Sequence, residues 1–303
     1  MDNRKLTKIF KILTSLMLAV FTAAGVFADA KMDITGTVEW DTSRILARIS
    51  LDLASADIKL PSGRMKGEGL LSSEYQRLIQ PNILDLQVDS SSTVADLISR
   101  GEFSLLDAEE LALKAYSVPP ALSQDLKKIT VSYTMSLSGL SAALIRHNSP
   151  VEVIRTLNPV SSTQYTGIII IACESLPVHG RKGGALPIPC LFPKVWDSEM
   201  NLIYERNMLE TKKTAMARYA PLHSIFQDNP SGLTPELISV VGERPLRIFA
   251  SGVFGIKPTD LIIDRIDALQ IISSQANRRL LTEGRVAIIL DDSVLKSQFT
   301  FND

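Results

Sequence analysis

The sequence predicts an α+β protein, with a mixed or antiparallel sheet, packed helices and two compact halves. Apolar and polar residues alternate with period two over residues 45–53 and 129–137, which indicates half-buried strands. Residues 167–172 are apolar on both faces, as the central strand of a sheet is. Helical patterns separate and follow these strands, so that helices and strands are both expected in each half.

The first half of the chain is predicted to contain a strand, several helices and a second strand. A turn is predicted over residues 58–69, which hold one proline and three glycines. A helix then begins near Ser72 or Ser73, and Pro81 should kink or end it. Asp107 is the candidate cap of a later helix. Prolines at 150 and 159 mark a junction near residue 160, which predicts domains over residues 31–160 and 161–303.

The second half of the chain is predicted to be richer in strands. The apolar strand at 167–172 should pair antiparallel with a return strand in the segment `IPCLFPKVWD`, residues 188–197. Pro193 places that return strand at an edge or a bulge, because proline donates no ladder hydrogen bond. One helix is expected over residues 265–281, and `VAIIL` is expected to be the final strand.

The first 30 residues have the three parts of a secretory signal peptide. Four basic residues precede an apolar stretch, and Ala28-Asp29-Ala30 forms a small-x-small cleavage site. The apolar stretch is shorter than the ~20 residues that a membrane-spanning helix needs. We therefore expect export, cleavage near Ala30 and a mature chain without a membrane span, in the periplasm or at the outer envelope. An uncleaved N-terminal anchor is the alternative.

The composition argues against a nucleic-acid partner. Removing residues 1–30 takes four basic and two acidic residues from totals of 32 and 33, which leaves a net charge near −3. Such a chain does not attract polyanions globally. The hydrophobic content of 45% is ordinary for a packed globular core.

Two segments of the second half resemble a known family. They are `YTGIIIIA…LPIPCLFPKVWDSEMNLIYE` and `PLRIFASGVFGIKPTDLIIDRIDALQII`, and together they cover about the last half of the mature chain. This half is similar to exported bacterial proteins related to the flagellar outer-membrane lipoprotein FlgP. The matching positions are Tyr165, Thr166, Gly167, Leu176, Pro189, Pro193, Asp197, Tyr204, Pro245, Asp264, Asp267 and Ala268.

The resemblance implies a scaffold or accessory protein of the envelope or the flagellum, and not a catalyst. Two departures from the family pattern bear on this expectation. The acidic residue expected directly after the apolar strand is displaced to Glu174, behind Cys173. The cysteine that carries a lipid anchor in such lipoproteins is absent, which puts membrane attachment in doubt. The first half of the chain is connected only to an uncharacterised exported family.

The segment `HGRKGG`, residues 179–184, is the most conspicuous candidate site. His179, Arg181 and Lys182 could contact a partner, or the glycine-rich backbone could hold a phosphate. A phosphate loop needs a helix directly after it, whereas Pro187 and Pro189 follow here. The segment is therefore interpreted as a solvated hairpin loop that displays His179, Arg181 and Lys182.

The residues that could support catalysis or bind a metal form weak patterns. Glu174 and Asp197 could converge at one end of the hairpin as an acid and base pair, as in a glycosidase. Two solvated carboxylates are the simpler interpretation. No histidine has a second ligand at metal-binding spacing, so neither a metal site nor a cofactor is predicted.

The two cysteines are candidates for a disulfide. If residues 167–172 and the return strand pair antiparallel, Cys173 and Cys190 lie roughly opposite each other, and an exported protein meets an oxidising compartment. The bond would close a loop of ~16 residues and contribute about 3 kcal/mol. The alternative is that both are free cysteines that pack as small apolar side chains.

These observations favour a non-catalytic envelope protein that acts by protein–protein contact, in the flagellar apparatus or elsewhere in the envelope. A periplasmic hydrolase and a small-ligand binding module, with a pocket between the two halves, are the alternatives. Partners would be envelope or flagellar proteins, and a homo-oligomer is left open.

Overall fold

The computed structural model describes residues 31–302 and confirms the α+β fold, with two large sheets and a separate two-stranded hairpin. Strands are numbered in chain order. Those of the first sheet are β1 (Met32–Glu39), β2 (Arg44–Asp52), β3 (Tyr116–Ser117), β4 (Ala121–Leu122), β5 (Lys128–Ser136) and β15 (Lys296–Asn302). Every pairing in this sheet is antiparallel, and the strand order is β15-β1-β2-β5-β3, with β4 also paired to β5.

The helices of this part are α1 (Arg64–Leu84), α2 (Val94–Ser99), α3 (Leu105–Leu113) and α4 (Leu137–Leu144). α1 and α4 pack against the first sheet, whereas α2 and α3 pack against α1. The turn expected over residues 58–69 is wrong in its second part, because α1 begins at Arg64. Gly67 lies so close to the sheet that a Cβ there would stand 2.8 Å from Ile129 Cδ1. Close packing on the sheet therefore outweighs the low helix propensity of glycine.

Two expected helix boundaries in the first half also differ from the structure. Pro81 lies inside α1, and the helix continues for another three residues to Leu84. The cap of α3 is Ser104, whose hydroxyl accepts a hydrogen bond from the backbone N–H of Leu106 (3.2 Å), whereas Asp107 lies in the first turn. Serine and aspartate both cap helices, so propensity alone does not distinguish them.

The strands of the second sheet are β6 (Ile168–Ala172), β9 (Val195–Asp197), β10 (Leu202–Tyr204), β11 (Arg218–Pro221), β12 (Leu246–Phe254), β13 (Asp260–Ile263) and β14 (Val286–Leu290). This sheet is mixed, and its strand order is β10-β9-β13-β12-β6-β14-β11. The interior strand β6 pairs parallel with both neighbours, β12 and β14, which explains why it is apolar on both faces. The helices are α5 (Pro235–Val241), α6 (Arg265–Ile272), α7 (Gln275–Thr282) and α8 (Asp292–Leu295).

The predicted pairing of β6 with a return strand is wrong. Both edges of β6 are already occupied, so residues 188–197 have no edge of β6 to join. A separate hairpin follows β6 instead, formed by β7 (Leu176–Pro177) and β8 (Gly184–Ala185). The helix expected over residues 265–281 is two helices, α6 and α7, which are separated at Ser273 and Ser274.

The chain ends in the first sheet, because β15 pairs antiparallel with β1. The sequence patterns did not identify this strand. Backbone hydrogen bonds also join the two parts, from Leu191 N–H to the carbonyl of Gln87 (3.0 Å) and from Phe192 N–H to that of Val88 (2.8 Å). One cluster of buried apolar side chains contains residues of both parts, so the described chain has a shared core.

Two expectations about membranes concern different parts of the chain. The signal peptide at residues 1–30 lies outside the described residues and stays a prediction. Over residues 31–302, the structure contains no helix whose length and apolar character would allow it to span a bilayer.

Candidate functional site

The `HGRKGG` segment forms the exposed tip of the β7–β8 hairpin. Val178 N–H donates to the carbonyl of Gly183 (3.2 Å), and Arg181 N–H donates to that of Val178 (3.1 Å). Gly180 and Gly183 have φ angles of 76° and 99°, which glycine adopts at little cost. The tip is therefore a tight turn, and β8 and an extended segment follow it where a phosphate loop would have a helix.

The hairpin tip, His179 to Gly184, is attached to the second sheet. His179 N–H donates to the carbonyl of Val253 (2.8 Å), and its imidazole lies edge-on to Phe254, with ring centroids 5.9 Å apart. Arg181 and Lys182 are exposed, and neither pairs with a carboxylate within residues 31–302. Two exposed cations therefore lie on a turn that a hydrogen bond and a ring contact attach to the second sheet.

The structure does not bring the predicted carboxylate pair together. Glu174 follows the carboxyl end of β6 and Asp197 ends β9, and β9 runs antiparallel to β6. The two residues therefore lie at opposite ends of the sheet, and their strands are three positions apart, about 14 Å. Glu174 is exposed, whereas Asp197 is fully buried.

Asp197 organises a turn and anchors a helix. Its Oδ1 accepts hydrogen bonds from the backbone N–H groups of Glu199 (3.0 Å) and Asn201 (2.8 Å), and its Oδ2 forms an ion pair with Arg265 at the start of α6. Burial pushes the pKa of Asp197 upward, but the hydrogen bonds from Asn201, Arg265 and Glu199 outweigh it and lower the pKa. A carboxylate held ionised in this way supports the fold and is not a proton donor.

Both cysteines are free thiols, and the strand pairing on which the disulfide prediction rested does not form. Cys173 is half-buried, with its Sγ 3.5 Å from the carbonyl oxygen of Ile289. Cys190 is fully buried, and its backbone carbonyl accepts a hydrogen bond from the Tyr219 hydroxyl (2.9 Å). Burial raises the pKa of both thiols. The alternative interpretation, in which both cysteines are free and pack as small apolar side chains, therefore applies.

A buried polar cluster, which the sequence patterns did not indicate, lies where the two parts of the chain meet. This interface cluster consists of Ser90 from the loop after α1, together with Trp196, Thr259 and Asp260. Asp260 Oδ2 accepts hydrogen bonds from the Ser90 hydroxyl (3.1 Å) and from Trp196 Nε1 (3.3 Å). Its Oδ1 accepts one from the Thr259 hydroxyl (3.2 Å).

The carboxyl of Asp260 is 1% exposed. Burial raises its pKa, although the hydrogen bonds from Trp196 and Ser90 and the charge of Lys194 act in the opposite direction. In the sequence, Asp260 stands in `KPTDLII`, where an aspartate after a proline looks like an ordinary turn residue. Only the approach of Ser90, 170 positions away, makes it an interface residue.

Aromatic rings connect the hairpin tip with the interface cluster. Phe254 makes an edge-to-face contact with His179 and another with Trp196, and the ring centroids of the second pair are 5.8 Å apart. Trp196 in turn donates its indole N–H to Asp260. Within residues 31–302, no group of three or more histidine, cysteine, aspartate or glutamate side chains could hold a metal ion.

Two family models match the chain, and both describe domains of one Treponema pallidum protein. The model of the Tp0624 N-terminal domain matches residues 31–143, and the model of the Tp0624 second domain matches residues 167–292. The two matches follow the order of the two domains in Tp0624, and they leave outside residues 144–166 and the residues from 293 on, which include β15. No curated protein matches the chain.

Proposed function

We propose that this chain is an exported, non-catalytic envelope protein that acts by protein–protein contact, and that the hairpin tip meets an acidic surface of its partner. The observation that carries this proposal is the pair of exposed cations, Arg181 and Lys182, on a turn held by backbone hydrogen bonds. An ordered turn loses little conformational entropy on binding, and complementary charge speeds and orients the encounter.

The cellular setting of the proposal comes from the sequence. The signal-peptide pattern of residues 1–30 supports export, to the periplasm or the outer envelope. The resemblance of the second half to relatives of FlgP supports the narrower proposal of an accessory or scaffold role in the flagellar apparatus. Sequencing the N-terminus of the protein recovered from an envelope fraction tests export, because cleavage near Ala30 leaves Lys31 as the first residue.

The contact is tested by crosslinking in intact cells, followed by identification of the proteins recovered. A charge-reversed variant, Arg181→Glu with Lys182→Glu, is expected to lose the crosslinked partner. The matched control is Lys59→Glu with Lys66→Glu, which reverses two exposed lysines of the first domain that have no carboxylate partner in the described chain. Equal recovery of the partner with both variants would contradict the assignment of the hairpin tip.

A further inference from the structure

A cleft lies beneath the segment that connects the two domains. This linker, residues 145–166, is fixed to the second domain near both ends. Val151 N–H donates to the carbonyl of Asn207 (2.7 Å). Further along, Asn277 of α7 donates its side-chain amide to the carbonyl of Thr163 (2.9 Å) and accepts from Tyr165 N–H (3.2 Å). The stretch between these anchors forms one wall of the cleft.

The cleft has a volume of ≈ 270 Å³, with the linker on one side and α7 on the other. The buried side chain of Val153 lines it, together with exposed apolar surface from Val151. Three arginines line it as well: Arg155 from the linker and Arg278 and Arg279 from α7. A single carboxylate, Glu152, is present among the lining residues, so positive charge is in excess.

Of the three arginines that line the cleft, Arg278 is the one that has no carboxylate partner in the described chain. It is half-buried, and its Nη1 donates to the backbone carbonyl of Ile272 (2.6 Å). No carboxylate of the described chain forms an ion pair with it. Removing part of a guanidinium from water without a negative partner costs free energy, which a bound anion would offset.

The other two arginines have partners that a ligand can displace. Arg155 pairs with Glu152 (3.1 Å) and Arg279 pairs with Glu283 (3.3 Å). Arg155, Glu152 and Arg279 are mostly exposed, and exposed pairs of this kind contribute little to stability. Exchanging one of these pairs for a contact with a ligand oxygen therefore costs little.

We propose that this cleft binds a small anion whose charge is spread over two or more oxygen atoms, with Arg278 as the central contact and Arg155 and Arg279 beside it. The planar guanidinium donates two parallel hydrogen bonds to phosphate or carboxylate oxygens, which a chloride ion cannot accept in the same way. The site uses none of the residues of the hairpin tip. It stands whether or not that tip binds a protein partner.

Isothermal titration calorimetry on the purified protein tests the proposal, with inorganic phosphate, pyrophosphate and citrate as probes. Sodium chloride at the same ionic strength controls for screening. Binding of phosphate or pyrophosphate identifies a phosphoryl ligand, and binding of citrate alone identifies a carboxylate ligand. Failure of all three probes to bind more tightly than chloride would overturn the proposal.

Four variants locate the binding. Arg278→Gln is expected to weaken it about tenfold or more, since a charged hydrogen bond contributes about 1.5–3 kcal/mol. Arg155→Gln should weaken it less, and Glu152→Gln should strengthen it by removing the competing carboxylate. Arg244→Gln, an exposed arginine without an ion pair in the described chain, is the control and should leave affinity unchanged.

The contact of Arg278 with Ile272 also supports the end of α6, so circular dichroism must show that Arg278→Gln folds. If it does not fold, Arg155→Gln and Glu152→Gln decide the outcome, because both positions are exposed. Unchanged affinity in these two variants would place the anion elsewhere and overturn the proposal.

Discussion

The hairpin tip and the interface cluster are both polar, but they differ in burial and in whether the protein itself supplies their partners. At the tip, Arg181 and Lys182 are exposed and have no carboxylate partner in the described chain. In the interface cluster, Asp260 is 1% exposed and accepts hydrogen bonds from Ser90, Trp196 and Thr259. The two sites are connected through His179, Phe254 and Trp196, so the contrast arises within one neighbourhood.

Burial and hydrogen-bond partners together indicate whether a polar residue serves stability or binding. A buried polar group must be hydrogen-bonded, and the protein itself satisfies Asp260. An exposed charge without a partner costs nothing in the free protein and remains available for one. The buried cluster is therefore expected to govern stability, and the exposed tip is expected to govern binding. Four predictions test this contrast.

The largest effect is expected at Asp260. Asp260→Ala leaves the buried Ser90 hydroxyl and the half-buried Trp196 indole N–H without this acceptor, so it should lower the free energy of unfolding by about 2–4 kcal/mol. Urea denaturation measures this change. Asp292→Ala, at an exposed position, is the control and should change stability by less than about 0.5 kcal/mol. A similar small change at Asp260 would mean that the cluster does not hold the interface.

A smaller effect is expected in the pH dependence of stability. Because burial raises the pKa of Asp260, the folded protein keeps this proton to a higher pH than the unfolded chain does. The contribution of Asp260 is therefore fully present below the unfolded pKa, about 3.9, and is lost as pH rises through the folded pKa. Wild type should gain stability relative to Asp260→Asn as pH falls from 7 toward 4.

Urea denaturation of both proteins at several pH values measures that difference. Comparing the two removes the contributions of other carboxyls, such as Asp197, whose lowered pKa acts in the opposite direction. A difference that stays constant with pH would show that the pKa of Asp260 is the same in the folded and unfolded states.

The two cysteines also differ in burial, because Cys173 is half-buried and Cys190 is fully buried. Both should be found as free thiols in the non-reduced protein, and Cys173 should be alkylated well before Cys190, because Cys190 is fully buried. Mass spectrometry after timed alkylation measures the order. Cys173→Ser removes the fast site and is the control. A mass showing two fewer hydrogens and no alkylation would restore the disulfide.

The smallest effect on stability is expected at the hairpin tip. Arg181→Glu with Lys182→Glu should change the free energy of unfolding by less than about 0.5 kcal/mol, because both side chains are exposed and lack ion pairs in the described chain. Thermal and urea unfolding measure it. A marked loss of stability would make the tip a structural element, and the loss of a crosslinked partner could then no longer be attributed to binding.

The sequence predicted the first sheet better than the second because one face of the first sheet is polar. Alternation over residues 45–53 and 129–137 identified β2 and β5, which pair with each other along nine residues. In the second sheet, β6 is apolar on both faces, so its pattern identified a central strand but not its neighbours. The assumption that the nearest later strand pairs with it led to the wrong hairpin and, through that, to the cysteine pairing.

The candidate site was predictable only in its exposed part. Gly180, Gly183 and the basic residues between them mark a turn by local chemistry, so `HGRKGG` was identified from the sequence. Asp197 was also singled out, but its partner is Arg265 and not Glu174. The interface cluster and the arginine-lined cleft went unrecognised, because each joins residues that are far apart in the chain.

The properties that depend on neighbouring residues could be predicted from the amino-acid sequence. These are the α+β class, the strands with regular alternation, the tight turn of the hairpin tip and the signal-peptide pattern, since each follows from local backbone preferences and side-chain periodicity. The strand pairing, the return of β15 to β1, the contact of Asp260 with Ser90 and the position of Arg278 beside the linker became visible in the folded structure. Such contacts depend on which sheet edges remain free and which buried surfaces fit, and no local pattern encodes them.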